Sequence, residues 1–168
     1  VIAAGKAAPL PLFYGVIPET MVFPFPEVSR EEREHTALLL ESVRKFIVKE
    51  VDSAKIDREA KIPEQVMKGI AGQGLFGLRI PARFGGKGLS TTSYARVLEE
   101  LATLDGSIAL TVGAHGTLGL GPLLQFGTDA QQKKFLSKLA AGESIAAFAL
   151  TEPGAGSDAA GIATRARV

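Results

Sequence analysis

The fold is decided by residues 106–128, which read GSIALTVGAHGTLGLGPLLQFGT and contain no charged side chain. A stretch of this length and composition fits either a helix that spans a membrane or a helix buried at the centre of a bundle. It is interrupted by six glycines, Pro122, His115 and Gln125, and its flanks mark no clear membrane span. These interruptions favour the central helix of a bundle.

The residues before this stretch are rich in charge. Residues 29–68 hold 18 of the 37 charged residues, nine of each sign. Ser29 followed by Glu32 is a capping-box pattern, which indicates a helix start. Apolar residues then recur at helical spacing, at Leu39, Val43, Phe46, Ile47 and Val51. The pattern predicts an amphipathic helix with a solvated face, and its balanced charge implies no partner.

Two shorter helices are predicted between these regions. Pro63 suits the first position of a helix that runs through Ile70 and ends at Gly72 and Gly74. Ser90 or Thr91 is a candidate N-cap for the next helix. That helix carries an apolar stripe of Tyr94, Val97, Leu98 and Leu101.

The pattern changes near the end of the chain. Thr128 and Gln131 form a second capping box, and the helix that follows is expected to end at Gly142. Residues 145–150 form an apolar run typical of a buried strand, and residues 162–168 alternate in the manner of a second strand. The chain starts at Val1 and stops within this alternation. We therefore expect a piece of a longer protein, with a second domain cut short.

The expected organisation is mainly α. Residues 1–28 are poor in charge and rich in proline, which predicts an extended N-terminal arm. Residues 29–143 form a helical-bundle domain, and residues 144–168 form the truncated start of a β domain.

Composition excludes several classes of function. The chain has 168 residues and no cysteine, which excludes disulfides, thiolate zinc sites and a cysteine nucleophile. Its net charge is +1, so no overall field attracts nucleic acid or an acidic membrane. No metal-binding spacing occurs, and we expect no metal site.

Residues 151–158, TEPGAGSD, form a turn-rich loop with two open interpretations. The glycines let main-chain N–H groups turn toward a ligand, and Thr151 and Ser157 add hydroxyl donors. An ordinary turn between two strands has the same composition, with Glu152 as a solvated residue. The glycine spacing also matches the dinucleotide fingerprint, but that motif requires a helix directly afterwards, whereas a strand is expected here.

The two histidines have simpler interpretations. His115 in the apolar helix is interpreted as a hydrogen-bonded core residue rather than a catalyst, and His35 as a surface residue. No Ser/His/Asp set and no pair of carboxylates stands out as acid and base. The residues alone therefore indicate a helical domain followed by a loop that could bind a ligand.

Three motifs carry a resemblance to a known family. Residues 148–158, FALTEPGAGSD, resemble the flavin-binding signature of the acyl-CoA dehydrogenases. Residues 77–88, from GLRIP to FGGKG, resemble the family's loop between its second and third helices. Residues 126–143 resemble its entry into the β domain. The resemblance begins at about residue 22, and residues 22–26 (VFPFP) with residues 113–115 (GAH) are most similar to the very-long-chain branch.

The resemblance implies an FAD enzyme of fatty-acid β-oxidation. A glutamate removes the α-proton of a long-chain saturated acyl-CoA while hydride passes to the flavin, which gives a trans-2-enoyl-CoA. Electrons then pass to electron-transfer flavoprotein. The implied protein is a homo-oligomer, either a dimer or a tetramer. It would be cytoplasmic in a bacterium and mitochondrial in a eukaryote.

The resemblance also assigns site residues. Phe148, Leu150 and Thr151 would line the flavin, and Gly156 and Ser157 would contact its phosphates. Ser157 would also contact the acyl-CoA thioester. In the very-long-chain branch, small residues on the central helix deepen the acyl tunnel. Gly119 stands at one such position, whereas Pro122 replaces the second glycine of that branch.

The family's catalytic glutamate belongs to a C-terminal helical domain, so no catalytic residue is assigned in this chain and the chain alone is expected to be inactive. The alternative is a non-catalytic helical domain that serves in interaction or assembly. An acyl-CoA oxidase that uses oxygen fits the motifs less well.

Overall fold

The computed structural model describes residues 14–15, 23–24 and 27–167. Most of the proline-rich arm predicted for residues 1–28 therefore lies outside the described residues. The described part is helical, as expected. Its α-helices are α1 (Arg30–Glu50), α2 (Ser53–Glu59), α3 (Glu64–Gly72), α4 (Thr91–Leu104), α5 (Gly106–Ala114), α6 (Leu120–Phe126) and α7 (Asp129–Ala140).

The helix starts follow the capping patterns, with one difference. Ser29 accepts a hydrogen bond from the Glu32 N–H, as predicted. The Glu32 carboxylate, however, accepts from the backbone N–H of Ser90 at 2.8 Å instead of turning back to Ser29. Ser90 in turn caps α4 through the N–H of Ser93. Glu32 therefore joins the start of α1 to the start of α4, a link between positions 58 residues apart.

The α7 capping box forms in full. The Thr128 side chain accepts from the Gln131 N–H, and the Gln131 side chain accepts from the Thr128 N–H. Gly142, with φ of +73°, follows the end of the helix as the sequence indicated. One helix was not anticipated, α2, which Asp52 caps through the N–H of Lys55.

The core has two parts. The larger part joins α1, α3, α4 and α5, with Val43, Ile47, Ile70, Leu101 and Ile108 among its buried residues. The predicted stripes of α1 and α4 both face it. The smaller part packs α6 and α7 against the segment after the Leu75–Gly77 turn. Its buried residues are Ile80, Leu120, Leu136, Leu139 and Ala140.

The central stretch forms a nearly continuous helix from Gly106 to Phe126. Between α5 and α6 the backbone takes one π-helical turn, His115–Gly119. One face is buried, but Leu110, Leu118 and Phe126 are 73%, 54% and 82% exposed. The prediction of a buried central helix therefore holds for one face only. Of the described residues, this helix alone has the length and apolar composition of a membrane span, which the core helix of a globular protein can share.

The two predicted strands differ from expectation. Residues 145–150 and 162–167 adopt neither helix nor strand, and the single β-bridge of the described residues joins Glu152 to Ala155. A strand needs a neighbouring strand to satisfy its backbone groups, and the described part of the chain offers none to these segments.

Candidate functional site

The loop after Leu150 has an internal framework of hydrogen bonds. Glu152 and Ala155 exchange both backbone hydrogen bonds, at 3.1 and 3.0 Å, which closes a tight turn around Pro153 and Gly154. The Asp158 carboxylate accepts from the Gly161 N–H at 3.2 Å and caps a short 3₁₀ turn, Ala159–Gly161. The loop is therefore folded at both of its ends.

Glu152 ties these two ends together. Its carboxylate accepts hydrogen bonds from the Ala163 N–H, from the Thr164 N–H at 3.0 Å and from the Thr164 hydroxyl. The Ala163 N–H, followed by the Thr164 hydroxyl, lowers the pKa of this carboxyl below its ordinary value. The interpretation of Glu152 as a merely solvated turn residue is therefore wrong, because Glu152 is half-buried and its charged form organises the loop.

The predicted donors of the loop are available for a ligand. Thr151 and Ser157 are exposed, and neither hydroxyl has a hydrogen-bond partner in the described part of the structure. A Cβ added at Gly154 or Gly156 would meet no atom within 4 Å. The loop thus presents two free hydroxyls beside uncovered backbone, which is the donor set needed to bind the polar edge of a ring or a phosphate.

Two apolar side chains precede these donors. Phe148 is 51% exposed and Leu150 is 43% exposed. The structure therefore places exposed apolar groups next to exposed hydroxyls along residues 148–157. An aromatic cofactor with polar edges requires this combination of groups.

Gly119 lies apart from these residues and packs against the backbone that leads to them. A Cβ added at Gly119 would lie 2.4 Å from the Ala146 Cβ and 2.7 Å from the Ala146 carbonyl carbon. The glycine is therefore required for close packing between the π-helical turn and residue 146. Its predicted role in acyl binding stays a prediction.

His115 is the buried core histidine that the sequence predicted. It is 1% exposed, its Nε2 lies 3.1 Å from the Phe76 carbonyl oxygen, and its ring packs edge-on against the Phe76 ring at 5.1 Å. Burial lowers its pKa, against the opposing effect of the Phe76 and Leu139 carbonyls. The ring is therefore neutral at pH 7. His35 is exposed, also as predicted.

Sequence reasoning missed the second partner of His115. The backbone N–H of Ala146 donates to His115 Nδ1 at 3.0 Å. The identity of residue 146 as alanine gives no sign that its backbone N–H will bond to a side chain. The one available signal was the polar His115 within an apolar helix, because a buried imidazole needs hydrogen-bond partners.

Within the described residues, no three His, Asp or Glu side chains are grouped so that they could bind a metal.

The helical part matches a known family model. Residues 33–143 match the N-terminal domain of acyl-CoA dehydrogenases. The chain is 42% identical over 165 residues to the very long-chain specific mitochondrial acyl-CoA dehydrogenase of Homo sapiens, covering 98% of this chain and 25% of the relative. It is 41% identical over 156 residues to a probable acyl-CoA dehydrogenase of Mycobacterium tuberculosis, covering 92% of this chain and 24% of the relative. The chain thus spans about a quarter of the length of these curated relatives.

Solved structures agree with this match. Butyryl-CoA dehydrogenase from Megasphaera elsdenii superimposes with a TM-score of 0.67 at 30% identity, over 81% of this chain and 36% of that chain. An acyl-CoA dehydrogenase from Bacillus anthracis, complexed with FAD, gives 0.66 at 36% identity, over 88% and 25%. The described helices, the family model and these relatives lead to one conclusion: the chain belongs to the acyl-CoA dehydrogenase family.

Proposed function

We propose that this chain is the N-terminal helical domain, with the start of the flavin-binding segment, of an FAD-dependent acyl-CoA dehydrogenase. Residues 29–143 would form the helical domain, and residues 144–168 would lead into a β domain. The observation that carries the proposal is the combination of a family-matched helical domain with a folded loop that exposes the Thr151 and Ser157 hydroxyls.

The residues of the loop fit the cofactor. Thr151 would donate its hydroxyl to the flavin edge, and Phe148 and Leu150 would cover the apolar part of the ring. Gly156 and Ser157 would supply an N–H and a hydroxyl to the phosphates, and Ser157 would also contact the thioester end of the substrate. The bound flavin would supply the two-electron acceptor that dehydrogenation requires.

We propose a long-chain saturated acyl-CoA as the substrate. The support is the similarity to very long-chain specific relatives and the open apolar face of the central helix, where Leu110 and Leu118 are exposed. An acyl chain requires apolar walls of this kind. Gly119, whose missing side chain leaves room for the Ala146 backbone, would border the acyl site from that side. Electron-transfer flavoprotein would accept the electrons, and the catalytic glutamate would come from outside this chain.

Assembly and location belong to the same proposal. The full-length protein would be a homo-oligomer. It would work in the mitochondrion in a eukaryote, as the names of the mammalian relatives state for those proteins. In a bacterium it would work in the cytoplasm.

The test is an anaerobic titration of the full-length protein with saturated acyl-CoAs of increasing length, followed by flavin absorbance. Bleaching that is strongest with long chains is the expected result. No bleaching with any chain length would refute the dehydrogenase. Bleaching with short chains alone would refute the long-chain substrate. A purified full-length protein without flavin that cannot be reconstituted with FAD would favour the non-catalytic assembly domain.

A further inference from the structure

The buried imidazole of His115 has no role in the proposed chemistry, yet both of its ring nitrogens bond to backbone groups of distant segments. Both of its nitrogens have backbone partners, the Phe76 carbonyl and the Ala146 N–H. Burying a polar group without a hydrogen-bond partner costs free energy, so the folded protein is most stable when His115 makes both bonds.

The two bonds define the state of the ring. The Ala146 N–H can only donate, so His115 Nδ1 must be the unprotonated acceptor. In the neutral ring the proton then lies on Nε2, which donates to the Phe76 carbonyl. His115 therefore links two backbone segments that lie 39 and 31 residues away from it in opposite directions along the chain.

The π-helical turn at His115–Gly119 is stabilised by nearby hydroxyls. The Gly113 carbonyl accepts hydrogen bonds from the Thr117 hydroxyl at 2.6 Å and from the Tyr94 hydroxyl at 3.3 Å. The turn places His115 and Gly119 on the side that faces Ala146, where Gly119 leaves room for the Ala146 backbone. Single π turns inside α-helices often occur at functional sites.

Ala146 is the attachment point of the segment that leads to the loop. Among the described residues from Glu143 to Thr151, it alone is not exposed, and it packs beside the smaller core. Its bond to His115 is the only hydrogen bond that the structure shows for residues 144–151. Phe148, Leu150 and Thr151 follow within five residues.

We propose that His115 is a positioning residue for the flavin-binding segment. Its neutral ring holds Ala146 against the helical domain, and this attachment fixes where the proposed flavin contacts begin. The inference rests on the proposed function, because it assumes that residues 148–157 bind the flavin.

Two substitutions separate the roles of the two ring nitrogens in the full-length protein. In His115→Asn the side-chain oxygen can take the place of Nδ1 and accept from Ala146. In His115→Gln the longer amide can reach the Phe76 carbonyl from the place of Nε2, but the acceptor for Ala146 is lost. His35→Gln is the matched control, since His35 is an exposed histidine on α1.

The experiment is to remove FAD from each protein and to titrate the apoprotein with FAD, recording affinity and the visible flavin spectrum. We expect His35→Gln to match the wild type and His115→Asn to bind within about threefold of it. His115→Gln should bind about fivefold to tenfold more weakly, as expected for one lost hydrogen bond. Its flavin spectrum should shift toward that of free FAD.

Three results would overturn the inference. The first is wild-type affinity and spectrum in His115→Gln, and the second is equal weakening in both variants, which would indicate that the ring only fills the core. The third result does not depend on whether a variant folds, because it is measured on the wild-type protein. In hydrogen exchange of residues 144–150, the Ala146 amide should be protected. Full exchange at this amide would refute its hydrogen bond to His115. A wild-type apoprotein that takes up no FAD would refute the proposed function itself.

Discussion

Gly119 and Ala146 approach so closely that a methyl group on Gly119 would lie 2.4 Å from the Ala146 Cβ. The contact joins the π-helical turn of the central helix to the segment that precedes the loop. Atoms that are not bonded to each other do not come this close, so a side chain at position 119 must displace residue 146. This packing makes the glycine a requirement of the fold as well as a candidate for acyl binding.

Gly119→Ala is therefore expected to destabilise the protein in spite of alanine's higher helix propensity. Overpacking of a filled contact costs about 1–3 kcal/mol, and the helix propensity of alanine offsets about 1 kcal/mol of this cost. The free energy of unfolding, measured with denaturant on the full-length protein, should fall by the remainder, up to about 2 kcal/mol, and FAD affinity should fall with it.

Gly106→Ala is the matched control at the start of the same long helix. A Cβ at the exposed Gly106 meets no atom within 4 Å, so the helix propensity of alanine should leave this variant at least as stable as the wild type, by up to about 1 kcal/mol. Equal stability of the two variants would contradict the close contact at Gly119.

Glu152 provides a second prediction. Because its carboxylate accepts from Ala163 and Thr164, Glu152→Ala should open the loop between residues 152 and 164. Hydrogen exchange at the Ala163 and Thr164 amides should accelerate, and FAD affinity should fall. Glu143→Ala removes an exposed carboxylate without a hydrogen bond, so it should leave both measurements unchanged. Unchanged exchange in Glu152→Ala would show that the carboxylate does not hold the loop.

Local patterns were sufficient to predict most of the helices. Ser29, Ser90 and Thr128 cap the helices that the sequence assigned to them, because a cap needs only residues three positions apart. The α2 helix was missed because the apolar spacing of α1 includes Val51. In the structure Val51 is extended and ends α1, so a new helix begins after Asp52.

Contacts between distant segments could not be predicted in this way. The Glu32 bond to Ser90 replaces half of a local capping box, and the choice between the two partners depends on the packing of α1 against α4. The strand predictions failed for a related reason, since strand formation depends on a neighbour rather than on local alternation. Thr151 and Ser157 were predicted as loop donors from a few consecutive residues, and the structure leaves both side chains exposed. Their contacts with a ligand stay a prediction.

Asp105 provides a third prediction, about stability. It is buried, caps α5 by accepting from the Ile108 N–H at 2.9 Å, and accepts from the Ser53 hydroxyl at 2.6 Å. Asp105→Ala loses both bonds and should cost about 1–3 kcal/mol of unfolding free energy. Asp105→Asn keeps an oxygen for the cap and should cost less.

The pairing with Ser53 is tested by a double-mutant cycle. Ser53→Ala should cost about 1 kcal/mol in the wild type and less in the Asp105→Ala background, because the hydroxyl has then already lost its acceptor. Equal costs in the two backgrounds would show that the two side chains do not interact.

The last prediction concerns pH and His115. Burial lowers the pKa of the folded-state ring below its ordinary value of 6.5, so the unfolded chain binds a proton more readily than the native protein. Stability from the neutral ring is therefore fully present above about pH 6.5 and decreases as the pH falls below that value. A proton on Nδ1 would also face the Ala146 N–H and break that bond.

Unfolding free energies of the wild type and of His115→Asn, measured from pH 7.5 downward, should converge at acid pH because the variant has no ring to protonate. A constant difference between the two proteins across this range would mean that His115 does not titrate with a lowered pKa.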